Sequence, residues 1–140
     1  MTREKVLALL SRRREALRTH DVVALRAIYT TNARLDSPFA GSVTGVEAIL
    51  KSTQAFFASF PDAVVHEDPP IIDGNRVAIF AIVAGSEVGE MMGLAAHKQA
   101  YQFPVSFLLE FDETCVQYER RVYDFTGLLV QIRVLKAKPV

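Results

Sequence analysis

This chain is poor in the residues that give a protein a covalent or electrostatic signature. Among its 140 residues there is one cysteine and no tryptophan. The lone Cys115 cannot close an intrachain disulfide, so nothing ties the protein to an oxidising compartment, and a cytoplasmic setting is expected. Lys plus Arg total 16, as do Asp plus Glu, which leaves no excess charge to attract nucleic acid or an anionic membrane. The only basic cluster, Arg12-Arg13-Arg14, has no interleaved aromatics and is followed by Glu15; it reads as a solvated helix face. Long apolar runs are missing too. The longest, Val77 to Ala84, is far short of the roughly 20 residues that span a bilayer. Val6 to Leu10 is shorter still and lacks a small-residue cleavage site, so it reads as helix rather than export signal.

Cofactor signatures are equally scarce. His66 and His97 have neither metal-ligand spacing nor a Cys or Glu arrangement typical of zinc. Gly85, Gly89 and Gly93 fall between strands with no helix after them, so they form neither a Walker loop nor a dinucleotide fingerprint. Nothing near Cys115 suggests a nucleophile triad. No metal, nucleotide or flavin is expected.

What is present is a clean change of period. Val6, Leu7, Leu10 and Leu17 predict an amphipathic helix from about Arg3 to Arg18, with Thr2 as cap. A second, shorter helix follows Asp21 and ends near Thr30-Thr31-Asn32. Arg34 to Ser37 predicts a short strand stopped by Pro38, and a loop with Gly41 follows. Thr44-Gly45-Val46-Glu47 then matches a capping box ahead of a third helix ended by Pro61. From Ala63 onward the period is two. Ala63 to Ile72, Asn75 to Ala84, Gln99 to Phe111 and Thr114 to Phe125 predict strands, with Asp73-Gly74-Asn75 as a hairpin turn. Helices followed by an antiparallel meander make a single α+β domain over residues 1–140.

The third long strand puts Tyr101, Phe103, Val105, Phe107, Leu109 and Phe111 on one face. Val77 to Val83 is apolar on both faces, more than a sheet covered by helices on one side needs. A homodimer through the outer face of the sheet is the simplest resolution.

Asp124 ends an almost wholly apolar stretch, so its carboxylate either points to solvent or sits against an apolar wall. In the second case burial raises its pKa and makes it a candidate general acid or base; in the first it caps the following turn. Tyr118, Arg120, Val122 and Asp124 alternate onto one face of the last strand, with Glu119, Arg121 and Tyr123 on the other. An inward Asp124 would share its side with Arg120, which lowers a carboxyl pKa. His66 is either a pocket residue or an exposed strand histidine. Tyr29, Phe56, Phe57, Phe60, Met91 and Met92 read singly as core, and together as the wall of a pocket for a small hydrophobic or polycyclic ligand.

The series Leu35-Asp36-Ser37-Pro38, Thr44 to Ile49, Phe60-Pro61-Asp62, Asp73-Gly74-Asn75, Gly85 to Gly93, and Tyr123-Asp124 with Gln131 resembles the SnoaL-like polyketide cyclases of the nuclear-transport-factor-2-like superfamily. The resemblance covers Val22 to Gln131, through the order and spacing of the pieces. It implies a cone: a strongly curved antiparallel sheet wrapped on three N-terminal helices, with an apolar pocket at one end. It implies cofactor-independent acid-base chemistry of the cyclase, isomerase or epoxide-hydrolase type on a small apolar carbonyl- or epoxide-bearing molecule, with Asp124 as the acid-base residue. Asp36 would be a second carboxylate near the mouth, or else only a turn-former ahead of Ser37-Pro38, and His66 and Tyr29 would be helpers. Tyr118 and Arg120 would join the pocket lining. The superfamily also holds non-catalytic binding modules, which is the alternative reading. Two departures bear on it. Glu87 stands where relatives often carry a histidine, and His97 is an addition of this chain.

Overall fold

The structure, a computed structural model, describes residues 1–137. Helix α1, Arg3–Thr19, has Thr2 as its N-cap, accepting the Lys5 amide, and the chain leaves it through His20 at φ 54°. Val6, Leu9, Leu10 and Ala16 form its buried stripe. Arg13 lies in the same stripe and is 1% exposed. This corrects the reading of Arg12-Arg13-Arg14 as a solvated face: at 3.6 residues per turn the middle arginine points inward while its neighbours point out.

Helix α2, Val22–Arg26, is capped by Asp21 and is shorter than expected because the chain becomes strand β1 at Tyr29–Ser37. Thr30-Thr31-Asn32, turn-formers in isolation, are drawn into that strand by its neighbours, an override of local propensity by sheet pairing. Strand β2, Gly41–Thr44, folds back on β1 with Thr44 opposite Arg34. The expected capping box does not form. Gly45, at φ 95°, is the N-cap of helix α3, Val46–Ser59, with no side-chain hydrogen bond, and Glu47 instead pairs with Arg26.

The expected strand from Ala63 to Ile72 is two, β3 at Val64–Glu67 and β4 at Ile71–Asp73, interrupted by Pro69-Pro70, which lack ladder donors. Long strands β5, Arg76–Val88, and β6, His97–Phe111, follow, then β7, Val116–Val122. A fourth helix, α4 at Phe125–Gln131, takes up the end of the last expected strand. Its Gln131 side chain both donates to the Gln102 carbonyl (3.0 Å) and accepts from the Gln102 amide (2.9 Å), tying the helix to β6.

The seven strands form one curved, unclosed sheet in the order β2-β1-β7-β6-β5-β3, with β4 also on β5. Neighbours are antiparallel except β1 and β7, which run parallel, so the sheet is not a pure meander. Helices α1 and α3 pack on its concave side and α4 packs on β6. Alternate residues of β6 from Tyr101 to Phe111 are all buried, each large apolar side chain contributing about 1.5–3 kcal/mol.

Two irregularities re-aim side chains. β5 slips between Gly85 and Glu87, where Asp62 accepts the amides of Ser86 and Glu87. A Cβ on Gly85 would run into the Tyr101 hydroxyl and Asp62, so the close approach requires glycine. β7 slips by one residue at Gln117: Phe111 faces Val116, but Glu110 faces Tyr118.

Candidate functional site

Inside the curve of the sheet, closed by α1 and α3, lies a cavity of about 50 Å³ lined by Leu17, Thr53, Phe56, Phe57, Val65, Val83, Phe103, Val105, Phe107, Arg121 and Tyr123. Its wall is apolar except at Thr53, Arg121 and Tyr123. Thr53 is spent on the Ile49 carbonyl. Tyr123 packs against Phe103 with ring centroids 5.2 Å apart. Burial pushes its phenol up to about 12 against the opposing pull of Arg121, so it stays protonated as a hydrogen-bond donor at neutral pH. The volume holds a water or two, well below the roughly 150 Å³ that accommodates benzene. A polycyclic ligand exceeds this volume, and the cavity is partly open to solvent.

Behind the cavity is a buried charge network. Glu119, fully buried, accepts from Arg121 Nε at 2.5 Å and from the Tyr29 hydroxyl at 2.8 Å. Arg13 Nε lies 3.6 Å from Glu119, and Arg13 Nη1 donates to Glu67 at 3.1 Å. The Arg13 guanidinium stacks 4.5 Å over the Phe107 ring that lines the cavity. Burial by itself would raise the Glu119 pKa, but Arg121 and Arg13 more than offset it and hold the carboxyl at about 2. Arg121 is correspondingly held as a cation, its own desolvation outweighed by Glu119. Burial and Glu119 together raise Tyr29, which remains a phenol.

The residues expected from sequence are mostly elsewhere. Asp124 is exposed and is the N-cap of α4, accepting the Gly127 amide at 2.8 Å. The capping alternative holds, and its carboxylate does not face the cavity. The inward side of β7 is the odd set, Glu119, Arg121 and Tyr123, because the slip at Gln117 inverts the alternation that follows Val116. Tyr118 and Arg120 thus lie on the outer face. Asp36 is there too, accepting from Tyr118 at 2.7 Å, a bond that with Ser42 and Arg34 lowers its pKa. His66 is exposed and pairs opposite Ile82 on that outer face. Phe60 is core, packed on Phe56 and Tyr101. Met91 and Met92 sit in a turn beyond the cavity lining, Met92 exposed. Of the expected lining only Phe56 and its neighbour Phe57 are at the cavity, and Tyr29 is linked to it only through Glu119 and Arg121. Among the described residues no three His, Cys, Asp or Glu side chains gather as a metal site.

Known structures share this architecture. TsrD from Streptomyces laurentii superposes with a TM-score of 0.81 at 17% identity, over 96% of this chain and 99% of its own. A Jannaschia sp. CCS1 protein assigned as a SnoaL-like polyketide cyclase gives 0.79 at 21%, over 97% and 92%. A protein of ketosteroid isomerase-like fold from Catenulispora acidiphila DSM 44928, in complex with trimethylamine, gives 0.76 at 16%, over 94% and 97%. No curated protein sequence matches the chain. The profile of the SnoaL-like polyketide cyclases matches residues 8–132, and with the fold in hand the conclusion is direct: the chain belongs to the SnoaL-like polyketide cyclase family.

Proposed function

We propose that this protein binds a small, mostly apolar molecule bearing a carbonyl or epoxide oxygen inside the cone, with that oxygen directed at Arg121 and Tyr123. One observation supports the reading above others: an apolar wall interrupted by a cation that spends only its Nε on Glu119 and by a protonated phenol that accepts a backbone hydrogen bond from Phe39 and keeps its own proton to donate. Both donate, and donors aimed at one oxygen polarise it and stabilise negative charge developing there. Proton abstraction fits less well. The carboxylate nearest the cavity, Glu119, is tied through both oxygens and far too acidic at about 2 to take a proton from carbon at neutral pH. The binding-module alternative is accordingly the reading the geometry favours over a proton-transfer enzyme. Titrating the isotope-labelled protein with a series of small ketones and epoxides tests it by NMR. Saturable shifts centred on Phe103, Phe107 and Tyr123 are expected; shifts scattered over the outer surface would refute the site.

A second copy of the chain is proposed to cover the outer face. Phe80, Ile82 and Val122 are 50%, 37% and 51% exposed there. Ser106 of β6 faces both Phe80 of β5 and Val122 of β7, which places the two in one row across the sheet on either side of it. A patch of this kind on one sheet can match itself about a two-fold axis. Sedimentation should show a dimer that Phe80→Glu converts to folded monomer, and a wild-type monomer at micromolar concentration would discard the idea.

A further inference from the structure

We propose that the group received by this cavity is a carboxylate, so that the ligand is a small apolar acid seated on Arg121; this rests on the reading of the cavity as a ligand site. The imbalance of donors and acceptors in the buried network carries the argument. Its acceptors are the oxygens of Glu119 and Glu67. Glu119 Oε1 takes the Tyr29 hydroxyl and faces Arg13 Nε, and Oε2 takes Arg121 Nε. Glu67 Oε1 takes Arg13 Nη1, and Oε2 faces Arg14 at 3.7 Å. Every carboxylate oxygen is therefore engaged.

The donors are not. A guanidinium offers five N–H groups. Arg13 is 1% exposed and lies behind the cavity wall, and its Nε and Nη2 have no hydrogen-bond acceptor, so the network has no acceptor to spare for Arg121. Among the described residues, Arg121 makes its side-chain hydrogen bond through Nε alone while lining the cavity. Buried donors without acceptors are costly and are normally satisfied. The buried charges themselves balance, Arg13 and Arg121 against Glu67 and Glu119, with Arg14 more than half exposed. A carboxylate is nevertheless the stronger acceptor for the free Arg121 N–H groups, because a hydrogen bond between two charged groups exceeds one to a neutral oxygen. A planar carboxylate also matches the guanidinium fork in two parallel bonds. Its apolar remainder would extend along Phe103 and Phe107 toward Phe56 and Phe57, the half-buried side of the cavity.

Calorimetric and NMR titration of the full chain with propanoate and with its methyl ester, at one ionic strength, tests this. The acid should bind at least about tenfold more tightly than the ester, the size expected of a charge-assisted pair, with shifts at Phe103, Phe107 and Tyr123. Arg121→Gln should level the two. Because that variant strips Glu119 of its partner, the pair Arg121→Gln with Glu119→Gln, neutral on both sides, is run beside it after melting curves confirm folding. Equal affinity for acid and ester overturns the carboxylate proposal and leaves the cavity as a site. Failure of both to bind at millimolar concentration removes the site as well. A crystal grown with the acid that shows only water against Arg121 also overturns it.

Discussion

Two clusters of the same composition, each a tyrosine, a carboxylate and an arginine, lie on opposite faces of the same strand pair. Inside, Tyr29 of β1 meets Glu119 and Arg121 of β7. Outside, Tyr118 of β7 meets Asp36 and Arg34 of β1. Their environments separate them. Glu119 is held ionised against the full cost of desolvation, so removing any partner exposes that cost. Asp36 keeps about a third of its side chain in water, where solvent replaces whatever a neighbour withdraws. The inner set is thus the one able to act on a ligand, and the one that cannot be altered cheaply.

Glu119→Ala against Asp36→Ala should show the largest contrast. The first leaves Arg121 without its carboxylate and Arg13 with Glu67 alone, and should cost about 3–5 kcal/mol; the second should cost at most about 1 kcal/mol. Urea midpoints at unchanged slope measure both, and equal losses would erase the distinction. Acid provides the next test. The Glu119 pKa is depressed from 4.5 to about 2. A depressed carboxyl contributes stability above its unfolded value, so this contribution is whole above pH 4.5 and disappears as pH falls toward 2, a loss of a few kcal/mol. Glu119→Gln should flatten that limb of the stability curve, whereas Asp36→Asn should leave most of it.

Tyr29→Phe should be milder, about 1–2 kcal/mol for one buried bond to a charged group, and Tyr118→Phe milder again. Asp124→Ala extends the comparison to the end of the same strand. Loss of the cap should cost about 1 kcal/mol while ligand affinity in the cavity stays unchanged. A collapse of binding in that variant, with the fold intact, would return Asp124 to the site. Smallest of all, raised salt should weaken the outer cluster by a few tenths of a kcal/mol and leave the inner one untouched.

Much of the fold was legible because local chemistry and tertiary context agree. Thr2 and Asp21 cap helices as their side chains suggest, and the alternation from Tyr101 to Phe111 is buried residue for residue. The site was less legible, and Gln117 is the reason. Counting by twos from buried Val116 sends Tyr118, Arg120, Val122 and Asp124 inward. One extra residue in the ladder reverses the count, and a slip of one moves every side chain to the other face. Arg13 was recoverable in principle, since its spacing from Leu9, Leu10 and Ala16 places it on the apolar stripe. Its three-arginine setting masked that. α4 was missed because Tyr123-Asp124-Phe125 continues a strand-like composition, and only Asp124 as cap announces the turn.

By itself, the sequence determined the family, the three N-terminal helices ahead of the strands and the apolar inner face, since these follow from periods and short-range capping that need only a few adjacent residues. Tertiary structure decided which side of β7 faces the cavity, that β1 runs parallel to it, and that Arg13, Arg121, Glu67 and Glu119 share one dry compartment. Those outcomes depend on pairing register and on groups up to 108 positions apart, from Arg13 to Arg121, where the free energy of burying charge is set by neighbours that no local window contains.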